Sequence, residues 1–146
     1  METLRLVNKR AAFEYHFLDK YSAGISLTGT EVKSIRDSKV SLAEAFCVFI
    51  QSELFIKNMN IAEYSHGNIY NHDPKRLRKL LLRKKELAKL FSKSKEKGLT
   101  IIPTELYINE RGFVKIDIVL AKGKKLYDKR ESIKQKDEAR RRRTEE

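Results

Sequence analysis

Short segments in which apolar and polar residues alternate recur along the chain, and they constrain its fold more than any other feature. The clearest is Phe113 to Leu120, in which every second residue is a large aliphatic one. It follows Ile101 to Ile108 across a hairpin signal, Asn109-Glu110-Arg111-Gly112. Further β-rich segments bring the total to about six strands: Phe13 to Phe17, Gly24 to Gly29, Ala45 to Ile50 and Leu54 to Ile61. Because closure removes unpaired edges, this pattern predicts a small antiparallel barrel.

Two segments change to the period of an α-helix. Thr30 to Asp37 predicts a short helix with Thr28 or Thr30 as its cap. Leu80 to Lys97 predicts a longer one that ends before Gly98. The remaining local predictions are a helical turn at Ser41-Leu42-Ala43-Glu44, from its capping-box spacing, and a short arm at Met1 to Arg10. The predicted fold class is therefore mainly β with peripheral α. It is a six-stranded antiparallel, oligonucleotide-binding-like closed barrel with two or three outer helices.

The C-terminal segment from Ala121 to Arg143 is dominated by Lys and Arg and has few apolar side chains. Such a segment cannot bury enough apolar surface to offset the entropy of ordering, so we expect it to be disordered when free. Asp137 with Arg141, and Glu138 with Arg142, stand at i,i+4 with the acid first, which favours a helix once a partner is present. We therefore predict two parts, a barrel domain at residues 1–120 and a basic tail at residues 121–146.

The net charge of +12 is shared between these two parts and indicates a polyanionic partner. A basic body with a basic tail points to nucleic acid more than to an acidic membrane surface. No stretch approaches the ~20 apolar residues of a membrane helix, and the start lacks a signal-peptide pattern, so we predict no membrane partner. Cys47 is the single cysteine, which fits the reducing cytoplasm.

The residue patterns of enzyme active sites are not found in this sequence. The three histidines are too few, and too badly spaced relative to Cys47, for a zinc site. No Gly-rich phosphate loop and no nucleophile motif occurs. His72-Asp73 is compatible with an acid/base pair, but Asp73-Pro74 favours turn formation. We predict that the chain is not an enzyme and uses no metal or cofactor; an enzyme acting on nucleic acid stays as an open, unsupported alternative.

The segment from Ala62 to Lys79 is rich in turn formers, rings and cations and has little apolar periodicity. It predicts a long surface loop, and loops of this length inside a compact domain are usually functional. Tyr64, Tyr70 and His72 are its candidates for stacking on bases.

Several short motifs occur in an order typical of one family. They are Asn8-Lys9-Arg10, Ala23-Gly24 to Leu27, Gly29 to Ser34, Asn71-His72-Asp73-Pro74, Arg78 to Leu82, and Ala121 to Arg130. On these motifs the chain resembles the small protein B family, the SsrA-binding proteins of bacteria, from Asn8 into the tail. The resemblance implies an oligonucleotide-binding-like barrel that acts in trans-translation, the rescue of ribosomes stalled on messages without a stop codon.

The same resemblance implies the partners. The body would bind the tRNA-like domain of transfer-messenger RNA and deliver it to the stalled ribosome. The tail would become helical there and probe the vacant A site and the mRNA channel of the small ribosomal subunit and its rRNA. Elongation factor Tu would take part indirectly, through the charged RNA, and the protein would act as a cytoplasmic monomer.

Two groups of site residues follow. The predicted RNA-binding residues are Asn8, Lys9, Arg10, Ser22, Lys33, Arg36, His72, Arg76, Arg78, Lys79 and Leu81. The predicted tail residues near the ribosomal decoding centre are Lys122, Gly123, Lys124, Lys125, Tyr127, Asp128, Lys129 and Arg130. Asn8 and Leu81 match family residues tied to RNA binding, although a leucine between two leucines is more often a core residue. Ser22 stands where the family often has Glu.

A structural ribosomal protein is the rival interpretation, since it is also small, basic and tailed. It would be present on every ribosome, whereas a rescue factor would recover one particular RNA.

Overall fold

The computed structural model describes residues 4–65, 71–125, 129, 130, 133 and 134. Tyr70, Tyr127, Asp128, most of the predicted tail helix and His66 lie outside the described residues. The helices are α1 (Lys9–Glu14), α2 (Gly29–Arg36) and α3 (Lys84–Ser94). The strands are β1 (Leu4–Val7), β2 (Tyr15–Ile25), β3 (Val40–Ser41), β4 (Phe46–Ile50), β5 (Glu53–Lys57), β6 (Asn60–Ile61), β7 (Arg78–Leu81), β8 (Leu99–Ile108) and β9 (Val114–Gly123).

Six antiparallel strands close into a ring, which confirms the predicted barrel. The order around the ring is β8-β4-β5-β7-β2-β9, and β9 pairs back onto β8. Strand β1 lies outside the ring and pairs with the second half of β8, while β3 and β6 form a small separate pair. Within the described residues, no helix is long and apolar enough to cross a membrane.

The alternation along β9 sorts its side chains between two apolar clusters. Ile116, Ile118 and Leu120 point into the barrel and join its main core. Val119 and Ala121 point outward, where they pack with Ile102 and with Ala11 of α1. Helix α1 therefore covers one half of the outer face of β9, and the apolar Val119 in an otherwise alternating strand is explained by this cover.

The N-terminal predictions were wrong in two respects. The predicted arm contains strand β1, which pairs with β8, and its last two residues begin α1. The two strands predicted around Phe13 and Gly24 are one strand, β2, which starts at Tyr15 and ends at Ile25. Alternation indicated two strands because the register of β2 against β9 shifts between Phe17 and Asp19, so a bulge interrupts the period.

The predicted short helix is confirmed as α2, with Thr28 as its N-cap. The Thr28 hydroxyl accepts a hydrogen bond from the Glu31 amide, at 3.4 Å. A Glu31 carboxylate oxygen in turn accepts one from the Thr28 amide, at 2.8 Å. This reciprocal capping box starts the helix and also fixes the position of the buried carboxylate of Glu31.

The longer predicted helix, Leu80 to Lys97, starts later and ends earlier than predicted, since α3 is Lys84–Ser94. Arg78–Leu81 forms β7 of the barrel, and α3 begins at Lys84. Leu90 is buried, and the ring of Phe91 packs edge-on against Phe49, with 5.0 Å between centroids. The other capping-box motif, at Ser41 to Glu44, forms the end of β3 and a turn rather than a helical turn.

The predicted boundary between barrel and tail falls inside a strand. β9 continues to Gly123, where Lys122 pairs with His16 and Gly123 pairs with Tyr15. The prediction placed Lys122 and Gly123 in the tail. They belong to the barrel instead, because their backbone completes the β2–β9 ladder. The division into a barrel and a separately acting tail stays a prediction.

Candidate nucleic-acid interface

Arg78, predicted to contact phosphates, is fully buried with 0% exposure, and this prediction was wrong. Its guanidinium makes an ion pair with the equally buried carboxylate of Glu31 and donates to the Met59 carbonyl oxygen at 2.7 Å. It also donates to the carbonyl oxygens of Asp73 and Pro74, at 3.3 and 3.2 Å. A buried cation must be paired, so the arginine holds the fold together and cannot reach a phosphate.

The Glu31 carboxylate holds a second arginine at the surface. Arg76 donates to it at 2.7 and 3.3 Å and to the Ser26 carbonyl oxygen at 3.1 Å. Burial raises the pKa of Glu31, but hydrogen bonds from Arg76, the Thr28 amide and Arg78 outweigh it, so the pKa lies below its ordinary value. Glu31 is therefore ionised, and Arg76 is partly neutralised as an RNA contact.

His72 is also part of this buried polar cluster, and its predicted availability for stacking was wrong. Its Nε2 lies 2.8 Å from the Ile61 carbonyl oxygen and its Nδ1 lies 2.9 Å from the Thr30 hydroxyl. Because a carbonyl oxygen only accepts, Nε2 carries the proton. The neighbouring Asn71 bonds the backbone of Tyr64 at 2.8 and 3.2 Å. The Asn-His-Asp-Pro motif thus fixes the described part of the loop rather than displaying rings to RNA.

The N-terminal candidates are held by the protein itself. The Asn8 amide donates to the carbonyl oxygens of Pro103, at 2.9 Å, and Leu42, at 3.3 Å. Arg10 makes ion pairs with Glu14 at 3.0 Å and Glu44 at 2.8 Å, which raise the pKa of its guanidinium further. Asn8 therefore has a positioning role, and the charge of Arg10 is locally balanced.

We expect Asn8→Ala to lower the free energy of unfolding by about 1–2 kcal/mol, since two carbonyl oxygens lose their donor. Urea unfolding followed by circular dichroism measures this change. Ser41→Ala, at the exposed end of β3, is the matched control and should change stability little. Unaltered stability of the Asn8 variant would contradict the positioning role.

Five residues on adjacent strands form one row across the outer face of the barrel, which we term the outer row. Leu81 of β7 pairs with Gly24 of β2, which pairs with Lys115 of β9. Lys115 pairs with Tyr107 of β8, which pairs with Arg5 of β1. Directly paired residues point to the same face of a sheet, so these side chains are neighbours. The outer row lies on the part of the face that α1 leaves open.

The row combines an apolar end with an aromatic and cationic end. Leu81 is 52% exposed, which excludes the alternative that it is a core residue and leaves it available as the predicted RNA contact. The guanidinium of Arg5 lies over the ring of Tyr107, 5.2 Å from its centroid. The hydroxyl of Ser22 shares a 2.9 Å hydrogen bond with that of Tyr107. The structure thus brings the predicted residues Leu81 and Ser22 together with three residues that sequence reasoning missed.

The missed residues had no distinguishing signal in the sequence. Arg5, Tyr107 and Lys115 are ordinary strand residues far apart in the chain, and only the register of three strand pairs makes them neighbours. Knowledge of the barrel order would have been needed to find them.

The other predicted cations are spread over the surface. Lys9, Lys33 and Arg36 are exposed. The ammonium of Lys33 lies over the ring of Tyr64, 5.5 Å from its centroid, so one face of that candidate stacking ring is covered. Lys79 pairs with Glu53 at 3.1 Å.

The first tail residues remain close to the barrel. The Lys124 amide donates to the Glu14 carbonyl oxygen at 2.8 Å, which continues the β2–β9 ladder by one bond. The Lys129 amide donates to the Lys125 carbonyl oxygen at 3.1 Å, and the Lys129 ammonium lies 6.0 Å from the ring centroid of Phe13. Arg130 is exposed.

The described residues contain no metal-binding cluster. No group of three His, Cys, Asp or Glu side chains within them could hold a metal ion. Cys47 is buried, and burial raises the pKa of its thiol, which keeps it protonated and unreactive.

A closed six-stranded barrel with aromatic and cationic side chains on an open outer face defines the class of small basic nucleic-acid-binding barrels. Comparison with known proteins narrows this class to one family. The chain belongs to the SmpB protein family, whose model matches residues 5–145.

Relatives and a solved structure agree with this assignment. The SsrA-binding protein of Cytophaga hutchinsonii is 64% identical over 96% of this chain and 92% of its own. That of Phocaeicola vulgatus is 57% identical over 94% of this chain and 91% of its own. A solved chain from work on tmRNA-SmpB in the bacterial ribosome superimposes with a TM-score of 0.72. It is 46% identical, and the match covers 88% of this chain and 94% of that one.

Proposed function

We propose that this protein binds transfer-messenger RNA and delivers it to stalled ribosomes in trans-translation. The observation that carries this proposal is the 64% identity to an SsrA-binding protein over nearly the full length of both chains. The structural likeness to a chain studied with tmRNA on the bacterial ribosome supports the second partner. A factor that works on the ribosome acts in the cytoplasm, as the lone cysteine also predicts.

The outer row is the best candidate for the RNA-binding face of the barrel. It offers the exposed side chain of Leu81, the hydroxyls of Ser22 and Tyr107, and the cations of Lys115 and Arg5 on one surface. Oligonucleotide-binding barrels use such an outer strand face to bind nucleic acid. Lys9, Lys33, Arg36 and Lys79 would add phosphate contacts around it.

The basic tail has a different proposed task. Its Lys and Arg residues would follow the rRNA of the small subunit, and Tyr127 to Arg130 would contact the decoding centre. Elongation factor Tu would be an indirect partner, through the charged RNA. Binding and positioning of RNA describe the whole activity that we propose, and it includes no catalytic step.

Sequencing of the RNA that co-purifies with the tagged protein tests this proposal. We expect one abundant species, transfer-messenger RNA, in substoichiometric amount relative to ribosomes. A structural ribosomal protein would instead recover all rRNA in equal proportion with every ribosome, and that result would exclude a rescue factor.

We expect the affinity for transfer-messenger RNA to fall steeply with salt. Each phosphate contact releases about one counterion, so log K should decrease by roughly 0.7–0.9 per contact for each tenfold rise in salt. Filter binding across a salt series measures this slope, with bovine serum albumin as a non-binding control. A slope near zero would exclude binding through the cationic surface.

A further inference from the structure

The outer row ends beside an aromatic ring that is exposed without an evident role in the fold. Phe113 is 63% exposed, directly precedes the first residue of β9, and lines the same surface groove as Lys115. Phe113, Leu81, Leu27 and Val32 line a shallow apolar groove. Gly24 forms its floor: a Cβ there would lie 3.4 Å from the Cβ of Leu81 and fill the space beside it.

Cationic side chains lie beside this groove, next to Leu81. A second groove shares Leu81 and Lys115 with the first and adds Ser22 and Arg83. Lys115 makes no ion pair with any residue that the structure describes, and Arg83 is exposed. The carboxylate of Glu86, which also lines this groove, accepts a hydrogen bond from the Arg83 amide at 3.3 Å.

Two further carboxylates near this surface are already balanced by cations. Asp117 lies two residues after Lys115, on the same face of β9, and one of its carboxylate oxygens lies 3.4 Å from the ammonium of Lys20. Glu105 of β8 lies 2.5 Å from the guanidinium of Arg5. The surface around Phe113 therefore offers an apolar centre with cations beside it. This combination matches a nucleotide, which has a flat base and a charged phosphate.

We propose that Phe113 is a stacking platform for one unpaired nucleotide of the bound RNA. The base lies on the open face of the phenyl ring and its edge packs against Leu81, while Lys115 and Arg83 bind the adjacent phosphates. This inference rests on the proposed RNA-binding function, and it adds a residue and a mode of contact to it.

The affinity of Phe113→Ala for in vitro transcribed transfer-messenger RNA tests the proposal. We expect a loss of about 5- to 100-fold, the range for removal of one base–aromatic stack. Phe113→Tyr should retain the wild-type affinity because it keeps the ring. Lys115→Met should reduce the salt slope by roughly one phosphate contact.

Phe17→Ala is the matched control. Phe17 is also exposed, at 45%, but pairs with Ala121 near the opposite end of β9. Ala121 lies eight residues after Phe113 in the chain, which corresponds to roughly 26 Å of extended backbone. Removal of the Phe17 ring should leave the RNA affinity unchanged. Equal losses in the Phe17 and Phe113 variants would overturn the proposal, since they would reflect nonspecific surface effects.

Fluorescence gives a readout that a structural role of Phe113 would not affect. The chain contains no Trp, so Phe113→Trp introduces a single reporter. Stacking of a base on this indole should quench its emission as RNA is added, whereas Phe17→Trp should keep its emission.

The outcomes separate this inference from the function on which it rests. Wild-type protein that binds transfer-messenger RNA no better than an unrelated RNA would overturn both. Wild-type binding together with an unchanged Phe113→Ala affinity, or with unquenched Phe113→Trp, would overturn the stacking site alone. Loss of ribosome association by Phe113→Ala with undiminished RNA affinity would also overturn it, and would assign the ring to a protein surface.

Discussion

We expect Glu31→Ala to lower the free energy of unfolding by about 3–5 kcal/mol, the range for removing one partner of a buried ion pair. Both Glu31 and Arg78 have 0% exposure, so the substitution leaves the guanidinium buried without its counterion. The same carboxylate also caps α2 and binds Arg76, which adds to the loss. Urea unfolding at neutral pH measures the change, and the variant should lose its cooperative transition at a lower urea concentration.

Glu53→Ala provides the matched comparison. Glu53 forms an ion pair with Lys79, which like Arg78 is a cationic residue of β7. Unlike the Glu31–Arg78 pair, this pair is exposed: the Glu53 side chain is 50% exposed and that of Lys79 is 42% exposed. Exposed pairs contribute roughly 0–1 kcal/mol, so this variant should unfold almost as the wild type does. Equal losses in the two variants would show that the burial of Glu31 and Arg78 does not decide their energetic effect.

The pH dependence of stability gives an independent check of the same pair. The pKa of Glu31 is lower in the folded state than in the unfolded state, so its contribution is fully present above the unfolded value and is lost as pH falls through the folded value. Glu31→Gln should therefore lose less stability than the wild type between neutral and acidic pH. Parallel stability curves for the two proteins would contradict this assignment.

Deletion of all residues after Leu126 should abolish peptide tagging on stalled ribosomes while RNA affinity stays within a few-fold of the wild type. The barrel is complete before this point, since β9 ends at Gly123 and the next ladder bond is made by Lys124. The sequence of the deleted segment is rich in Lys and Arg, and we expect these cations to contact rRNA. A mobility-shift assay measures RNA binding, and a translation extract programmed with a message lacking a stop codon measures tagging.

Two variants sharpen the test of the tail. Tyr127→Ala should reduce tagging strongly if its ring stacks on a base of the decoding centre. Deletion of only Glu145 and Glu146 removes no cation and should leave tagging intact. An equal loss of transfer-messenger RNA binding and of tagging in the long deletion would contradict separate tasks for barrel and tail.

The three cationic residues at the end of the loop and the start of β7 could not be told apart from the sequence. Arg76, Arg78 and Lys79 occur within four residues and have the same formal charge. In the fold, Arg78 points into the protein and binds Glu31, Arg76 binds the same carboxylate from the surface, and Lys79 pairs with Glu53. Which of them is buried depends on the side of β7 that faces the core, and no local pattern reports this.

Local physical chemistry determined the elements that depend on near neighbours in the chain. Alternating apolar residues predicted β9, and β-rich composition predicted β4, β8 and the segment Leu54 to Ile61, which the structure divides into β5 and β6. The Thr28 capping box predicted the start of α2, and the turn residues Asn109 to Gly112 predicted the β8–β9 hairpin. The order of motifs likewise identified the family that the comparisons confirm. Each of these signals lies within a few residues, so the sequence alone carries it.

Only the tertiary structure decided which distant residues share a surface. The outer row takes one residue from each of β7, β2, β9, β8 and β1, and its members are neighbours only because the barrel closes in that order and register. The same closure buried Arg78 and His72 and exposed Leu81 and Phe113. Burial and adjacency in a barrel depend on pairings between strands that are far apart in the chain. The sequence therefore indicated a basic RNA-binding protein, but only the fold indicated which of its surfaces is the candidate RNA-binding face.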